Sequence, residues 1–242
     1  FLLHQLKNKI MIFKNESILT HINESSKAIM ADRKEYSLNG NIQIYIKDPL
    51  DQNINLPDVM KKLESTIPAH LISEIDSIFV GVFEDFEDRD INAMYKDGAI
   101  YVSNDQDDSA DMLDDIVHEI AHSLETPYGG IIYGDKKVER EFFSKRMKLY
   151  QILKSENLNP DKRVFIDLDF STKMDDFLYH NVGYDRLSFI VSSYGLFVSA
   201  YAPTSLQEYF ANGFEHFFLD DRQNLYECCP ELYKKIEELY DV

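Results

Sequence analysis

The residues best suited to chemistry in this sequence are His118-Glu119-Ile120-Ala121-His122, two histidines four apart with a glutamate after the first. On a helix, positions i and i+4 share a face, so both imidazoles can reach one metal ion. Glu119 lies about 100° further round the helix, beside the ligand pair and not between them. From that position a carboxylate can take a proton from a metal-activated water and later return one to a leaving amine. The pattern therefore predicts zinc held by His118 and His122, with Glu119 as general base.

Zinc in a catalytic site takes a third protein ligand and keeps one position open. A third histidine six residues beyond His122 would supply it in one arrangement, but Tyr128 stands there, with Glu125 in between. In the other arrangement a glutamate comes from a later helix. Glu208, in SLQEYFANGFEHFF, is the best candidate, and Glu215 and His216 are its rivals. Thr204 or Ser205 can cap that helix, with Gln207 or Glu208 three residues on. A carboxylate beside so much apolar surface (Leu206, Tyr209, Phe210, Phe214, Phe217, Phe218) needs a partner that offsets its burial.

The elements that position these residues can be read from periodicity. NIQIYIK (Asn41 to Lys47) alternates as a half-buried strand, and SIFVGVFE (Ser77 to Glu84) is rich in strand-forming residues. Pro57 opens one helix, and a second helical stretch follows Pro68. INAMYKDGAIYVSN predicts a hairpin turning at Asp97–Gly98. An acidic run, Asp105 to Asp115, leads into the motif helix, where Met112, Leu113, Ile116, Val117, Ile120 and Leu124 recur at helical spacing. The acidic residues suit the positive end of the helix dipole, and Pro127 with Gly129–Gly130 is expected to stop the helix. Further helices are expected at Lys136 to Glu156, in two pieces within Asp175 to Ser193, at Ser205 to Leu219, and from Pro230 onward. Strands precede helices, which is an α+β order. Three regions follow: 1–40 as an N-terminal extension or arm, 41–130 as a sheet lobe with the motif helix, and 131–242 as a helical lobe supplying the third ligand.

Composition excludes several function classes. A chain of 242 residues can bury a full core, and 44% hydrophobic with 28% charged residues is ordinary for a globular protein. The formal net charge of −18 argues against nucleic acid and anionic bilayers as partners. No run approaches the length of a membrane span, and FLLHQLKNKIMIF is too interrupted for a signal peptide. The chain begins without Met, so it is read as processed or as part of something longer; its compartment is left open between cytoplasm and virion. Cys228 and Cys229 are adjacent, which implies no disulfide framework.

HEIAH followed by EYFANGF resembles the gluzincin metallopeptidases, in particular the catalytic domain of anthrax lethal factor and the Pro-Pro endopeptidases. The resemblance implies a zincin-like, two-lobed α+β fold over about residues 75–220. It assigns Glu208 as the third zinc ligand, because that glutamate opens the family's E-[FY]-F-A-x-x-F segment. It further implies that Tyr201, seven residues before the ligand, donates a hydrogen bond to the oxyanion. Asn212, four residues after Glu208, stands where the family often has an acidic residue steadying a zinc-bound histidine. The resemblance also implies an edge strand that pairs with extended substrate, and GAIYVSN (Gly98 to Asn104) is placed for that. The 90 residues from His118 to Glu208 exceed a minimal member, so the helices between Lys136 and Ser193 read as an insertion.

The expected function is therefore a zinc-dependent endopeptidase acting on a peptide or protein substrate. A second reading keeps the zincin scaffold as a structural or interaction component of a larger assembly such as a phage virion, with partners unknown. It rests on the unassigned N-terminal region, the long insertion and the Lys/Asn/Ile-rich composition. A third, zinc as a purely structural staple, would require Cys228 or Cys229 as ligands.

Overall fold

The computed structural model describes residues 36–38, 40–84, 86 and 91–242. Most of the expected N-terminal arm, 1–40, lies outside the described residues. Its end does not behave as an arm, because strand β1 (Tyr36–Leu38) joins the sheet.

The sheet contains β1, β2 (Ile42–Ile46), β3 (Ser77–Gly81), β4 (Ala93–Lys96) and β5 (Ala99–Ser103), in the order β1-β2-β3-β5-β4. Pairs β2/β3 and β3/β5 are parallel, while β1/β2 and β4/β5 are antiparallel. Parallel neighbours need a crossover, and helix α1 (Leu56–Thr66) with a 3-10 turn (Ala69–Ile72) supplies the one between β2 and β3. Only this short turn forms where a longer helical stretch was expected after Pro68. The strand period of two sorts the side chains. Ile44, Ile78 and Ile100 are in register and buried, as are Val80 and Val102. On the other face Tyr45, Phe79 and Tyr101 stack in a row, with ring centroids 5.0 and 5.2 Å apart.

The hairpin forms as its turn chemistry predicts. Asp97 and Gly98 both have positive φ (50° and 83°), a two-residue turn whose twist matches the strands. One expectation is corrected here. Strand β5 is interior, flanked by β3 and β4, so among the described residues the sheet edge on this side is β4.

Helix α2 (Ser109–Tyr133) carries the motif and packs against α1, β4 and β5. Asp108 caps it, accepting from the N–H groups of Ala110 (2.7 Å) and Asp111 (3.1 Å). It does not stop at Pro127 or the glycine pair as expected, but runs on to Tyr133. Pro127 is exposed, and the continuation is held by packing: Ile132 is fully buried, with Tyr128, Ile131 and Tyr133 against the core. Here tertiary burial overrides local propensity.

The rest of the chain is helical: α3 (Lys137–Ser155), α4 (Lys162–Ile166), α5 (Thr172–Asp176), a π-helical turn (Phe177–Val182), α6 (Tyr184–Ser193), α7 (Leu206–Leu219), α8 (Arg222–Cys228) and α9 (Pro230–Tyr240). The order is α+β, with strands preceding most of the helices. Helix α7 lies along α2, and α9 covers α7 and α3. The α7–α9 approach depends on Gly213, where an added Cβ would fall 2.3 Å from Cδ2 of the buried Leu232. Among the described residues no helix is long and apolar enough to cross a membrane.

Candidate metal centre

The motif helix is buried on nearly every side. Met112, Ile116, Val117, Ile120, Ala121 and Leu124 are fully inaccessible, so the one polar stripe left on this turn is the motif. The metal-binding atoms of His118, Glu119 and His122 lie within 4.8 Å of one another, and the two imidazole rings are 5.0 Å apart.

Helix α7 brings the fourth residue. Ser205 caps it, accepting from the N–H of Glu208 at 3.0 Å, and this fixes Glu208 in the first turn facing α2. Glu208 closes on both histidines, with Oε2 3.0 Å from His118 Nε2 and Oε1 3.5 Å from His122 Nε2. Both Nε2 atoms thus face one carboxylate. The remaining ring nitrogens are held from behind. His118 Nδ1 lies 3.3 Å from Glu215 Oε2, and His122 Nδ1 lies 2.8 Å from Glu125 Oε1. Tyr133, on the extended end of α2, donates to the other oxygen of Glu125 at 2.9 Å.

Electrostatics follow from this packing. Burial alone would lower the His118 pKa, but its bonds to Glu208 and Glu215 raise it to about 9. His122 likewise opposes burial through Glu125 and Glu208, and reaches about 10. Burial would raise the Glu208 pKa, yet the two imidazoles hold it at about 2. Glu119 behaves differently: burial lifts its pKa, and one oxygen accepts the backbone N–H of Tyr95 on β4 at 2.5 Å. The surroundings are acidic. Asp114 is pushed up to about 7 by burial, Glu215 and Asp220, and Asp115 to about 6 chiefly by burial.

The donor set suits a small divalent ion. Nitrogen and oxygen ligands about 2.0–2.1 Å from zinc in a tetrahedron stand roughly 3.3 Å apart. The two Nε2–carboxylate separations, 3.0 and 3.5 Å, bracket that value. A carboxylate behind each ligating imidazole is the usual outer support of a histidine-held ion.

The other sequence candidates fall out as follows. Glu215 approaches His118 from Nδ1, the side away from Glu208, and His216 bonds instead to Asp220, Nδ1 to Oδ2 at 3.1 Å. Asn212 touches neither histidine. It is buried, donates to the Glu208 carbonyl at 2.8 Å, and accepts from the Ser199 hydroxyl. The support expected at that place comes from Glu215, one turn further along α7. Tyr201 sits in the loop before α7, its phenol pushed upward in pKa by burial and by the charges of Glu208, Asp175 and Glu119. No hydrogen bond engages its hydroxyl among the described residues. Cys228 and Cys229 are free thiols and join no donor group among the described residues. Sequence reasoning missed Glu125 and Tyr133 as partners. The signal was the i, i+3 spacing from His122 to Glu125, which puts both on one face of α2.

No protein-family model matches the chain, and no curated protein matches it.

Proposed function

We propose that the chain is a zinc-dependent peptidase of the gluzincin kind, with a zincin-like two-lobed fold in which the sheet side and the helical side meet at the α2–α7 contact. The observation that carries this reading is the convergence of His118 Nε2 and His122 Nε2 on Glu208, while Glu215 and Glu125 hold the opposite ring nitrogens. His118, His122 and Glu208 would hold the ion. When bound, zinc supplies Lewis acidity toward a peptide carbonyl and acidifies the attacking water.

The chain's own residues do the rest. Glu119 takes the proton from that water and returns it to the leaving amine. Its burial, which raises its pKa, makes it a stronger base than an exposed glutamate, and the Tyr95 N–H fixes its rotamer. Tyr201 donates to the developing oxyanion. β4 meets α2 at Glu119, so its outer edge, unpaired among the described residues, is the natural place for an extended peptide to lie. A purely structural role would use Glu119 only to accept the Tyr95 N–H; its place beside the histidine pair favours the enzyme over the assembly-component reading.

Metal analysis of the wild type, Glu208→Ala and Glu119→Gln, with hydrolysis of a peptide library, tests this. About one zinc per chain in the wild type and in Glu119→Gln, lost or much weakened in Glu208→Ala, is expected. Only the wild type should cleave. Full activity in Glu119→Gln would sink the mechanism, and zinc retained in Glu208→Ala would remove Glu208 as a ligand.

A further inference from the structure

The outward face of α3 carries two adjoining cavities remote in chemistry from the histidine site. One, of about 700 Å³, lies between α3 and the α8–α9 junction. The other, of about 670 Å³, lies between α3 and the segment after α6. They adjoin at Ser144 and Lys148 and together span Lys137 to Ile152, roughly 22 Å along the helix axis.

Its two ends differ. Phe143, Met147, Ile152, Tyr194 and Leu196 line the apolar end, and Tyr194 is 62% exposed. Arg140, Lys145 and Lys148 line the other end; none of them forms an ion pair among the described residues, though Arg140 donates to the Asp135 carbonyl and Lys145 to the Cys228 carbonyl. The lining holds five cations (Lys137, Arg140, Lys145, Lys148 and Lys234) against three carboxylates, each of which has a partner. Glu231 pairs with Lys234, Glu227 accepts from Gln223, and Glu141 accepts from Tyr209 and from the N–H groups of Glu231 and Leu232 at the start of α9.

An excess of cations on a chain of net charge −18 is a local inversion of the protein's field. It attracts what the rest of the surface repels, so it selects partners by sign. Large apolar side chains left in water beside it supply the contact area such a partner would bury. A second copy is the poorer occupant, because two chains of this charge repel as wholes.

We propose that this face of α3 docks an acidic segment of a partner protein, its carboxylates on Arg140, Lys145 and Lys148 and one or two large apolar side chains against Phe143, Met147 and Tyr194. The inference stands on different residues from the proposed metal centre and does not depend on it.

Short random peptides displayed on phage, selected on the full chain carrying Glu119→Gln, test the proposal. Arg140 and Lys148 are exposed on the helix surface, so Arg140→Glu with Lys148→Glu leaves the fold intact, which a thermal melt verifies. The expected result is enrichment of peptides combining Asp or Glu with Leu, Phe or Tyr. Their affinity should fall about tenfold or more in the double variant and weaken with added salt. Enriched peptides that are neutral or basic, binding unchanged in the double variant, or no enrichment would each overturn it. So would a concentration-dependent dimer of the wild type that the double variant abolishes, since that assigns the face to a second copy.

Discussion

Nδ1 of His118 lies 3.3 Å from Oε2 of Glu215, seven residues along α7 from the Glu208 that faces the same ring's Nε2. Seven residues are 20° short of two turns, so both side chains project toward α2 from backbone positions about 10.5 Å apart along the axis. One imidazole is therefore gripped at both nitrogens by a single helix. Nδ1–H donated to Glu215 leaves the Nε2 lone pair free for an ion.

Glu215→Ala is accordingly expected to weaken zinc binding about 10- to 100-fold while leaving the stoichiometry at one. Glu215→Gln, which still accepts a hydrogen bond, should lose less. Competition with a zinc chelator gives both affinities. Equal affinity in wild type and Glu215→Ala would mean that His118 needs no such support.

The protonation pattern sets the pH dependence of the metal-free protein. His118 and His122 are raised from 6.5 to about 9 and about 10 by their carboxylate partners. Their contribution to stability is complete below about pH 6.5 and is lost as pH rises through those folded values. Glu208 is lowered from 4.5 to about 2, so its contribution is present above 4.5 and is lost as pH falls toward 2. Thermal melts in EDTA should lose stability below about pH 4.5 as Glu208 protonates, and above it as first Asp115 and Asp114, raised to about 6 and about 7, and then the histidines lose their protons. In Glu208→Gln the alkaline decline should be shallower. Zinc displaces the histidine protons, so its binding at neutral pH should release protons, measurable by calorimetry in buffers of different ionisation enthalpy. A pH-independent melt would show that these pairs add nothing to the fold.

Much of this site was legible in the sequence because its parts are local. The i, i+4 histidines, the Ser205 cap and the Asp97–Gly98 turn each need only a few residues of context. The strands and most helices follow from period-two and helical patterning for the same reason. What failed was set by distant contacts. Pro127 and Gly129–Gly130 read as a stop, yet burial of Ile132 carries the helix through them to Tyr133, which then reaches Glu125. Asn212 sits at the spacing where support for a histidine was expected, but Ser199 draws its side chain aside and Glu215 takes the place. Strand β5 read as an edge because sequence order does not reveal that β3 lies beside it.

Tyr201 and Tyr184 have ring centroids 6.2 Å apart, and only Tyr201 has a hydroxyl without a hydrogen-bond partner among the described residues. Tyr184 donates its hydroxyl to Asp175 at 2.9 Å, whereas Tyr201 has no such bond among the described residues. Burial, with the Glu208 charge behind it, also keeps the Tyr201 phenol protonated, as a donor requires. Tyr201→Phe should lower kcat by about 10²-fold with little change in KM, and zinc content should be unaffected. Tyr184→Phe should leave kcat within a few-fold. The reverse ranking would transfer the oxyanion role to Tyr184.

Arg146 on α3 is fully buried, and its guanidinium explains how α7 begins where it does. Nη1 donates to the Asp167 carbonyl at 2.5 Å, and Nη2 to those of Val164 (3.3 Å) and Thr204 (3.5 Å). The rings of Phe142 and Phe165 flank it at 5.4 and 5.9 Å. Burial lowers its pKa to about 10, so it stays charged at neutral pH. Thr204 directly precedes the Ser205 cap, and the Leu206 N–H donates to Leu168 at 2.9 Å, so this cation ties three segments to the first turn bearing Glu208. Arg146→Met leaves those carbonyls without a donor and should cost about 2–4 kcal/mol, read from the urea midpoint. Lysine should not rescue it, since a single ammonium cannot span carbonyls that a planar fork reaches together. Because Glu208 depends on that turn, zinc affinity should fall with stability in both variants. An unchanged urea midpoint would show that the α7 start is fixed by its Ser205 cap and its packing on α2 alone.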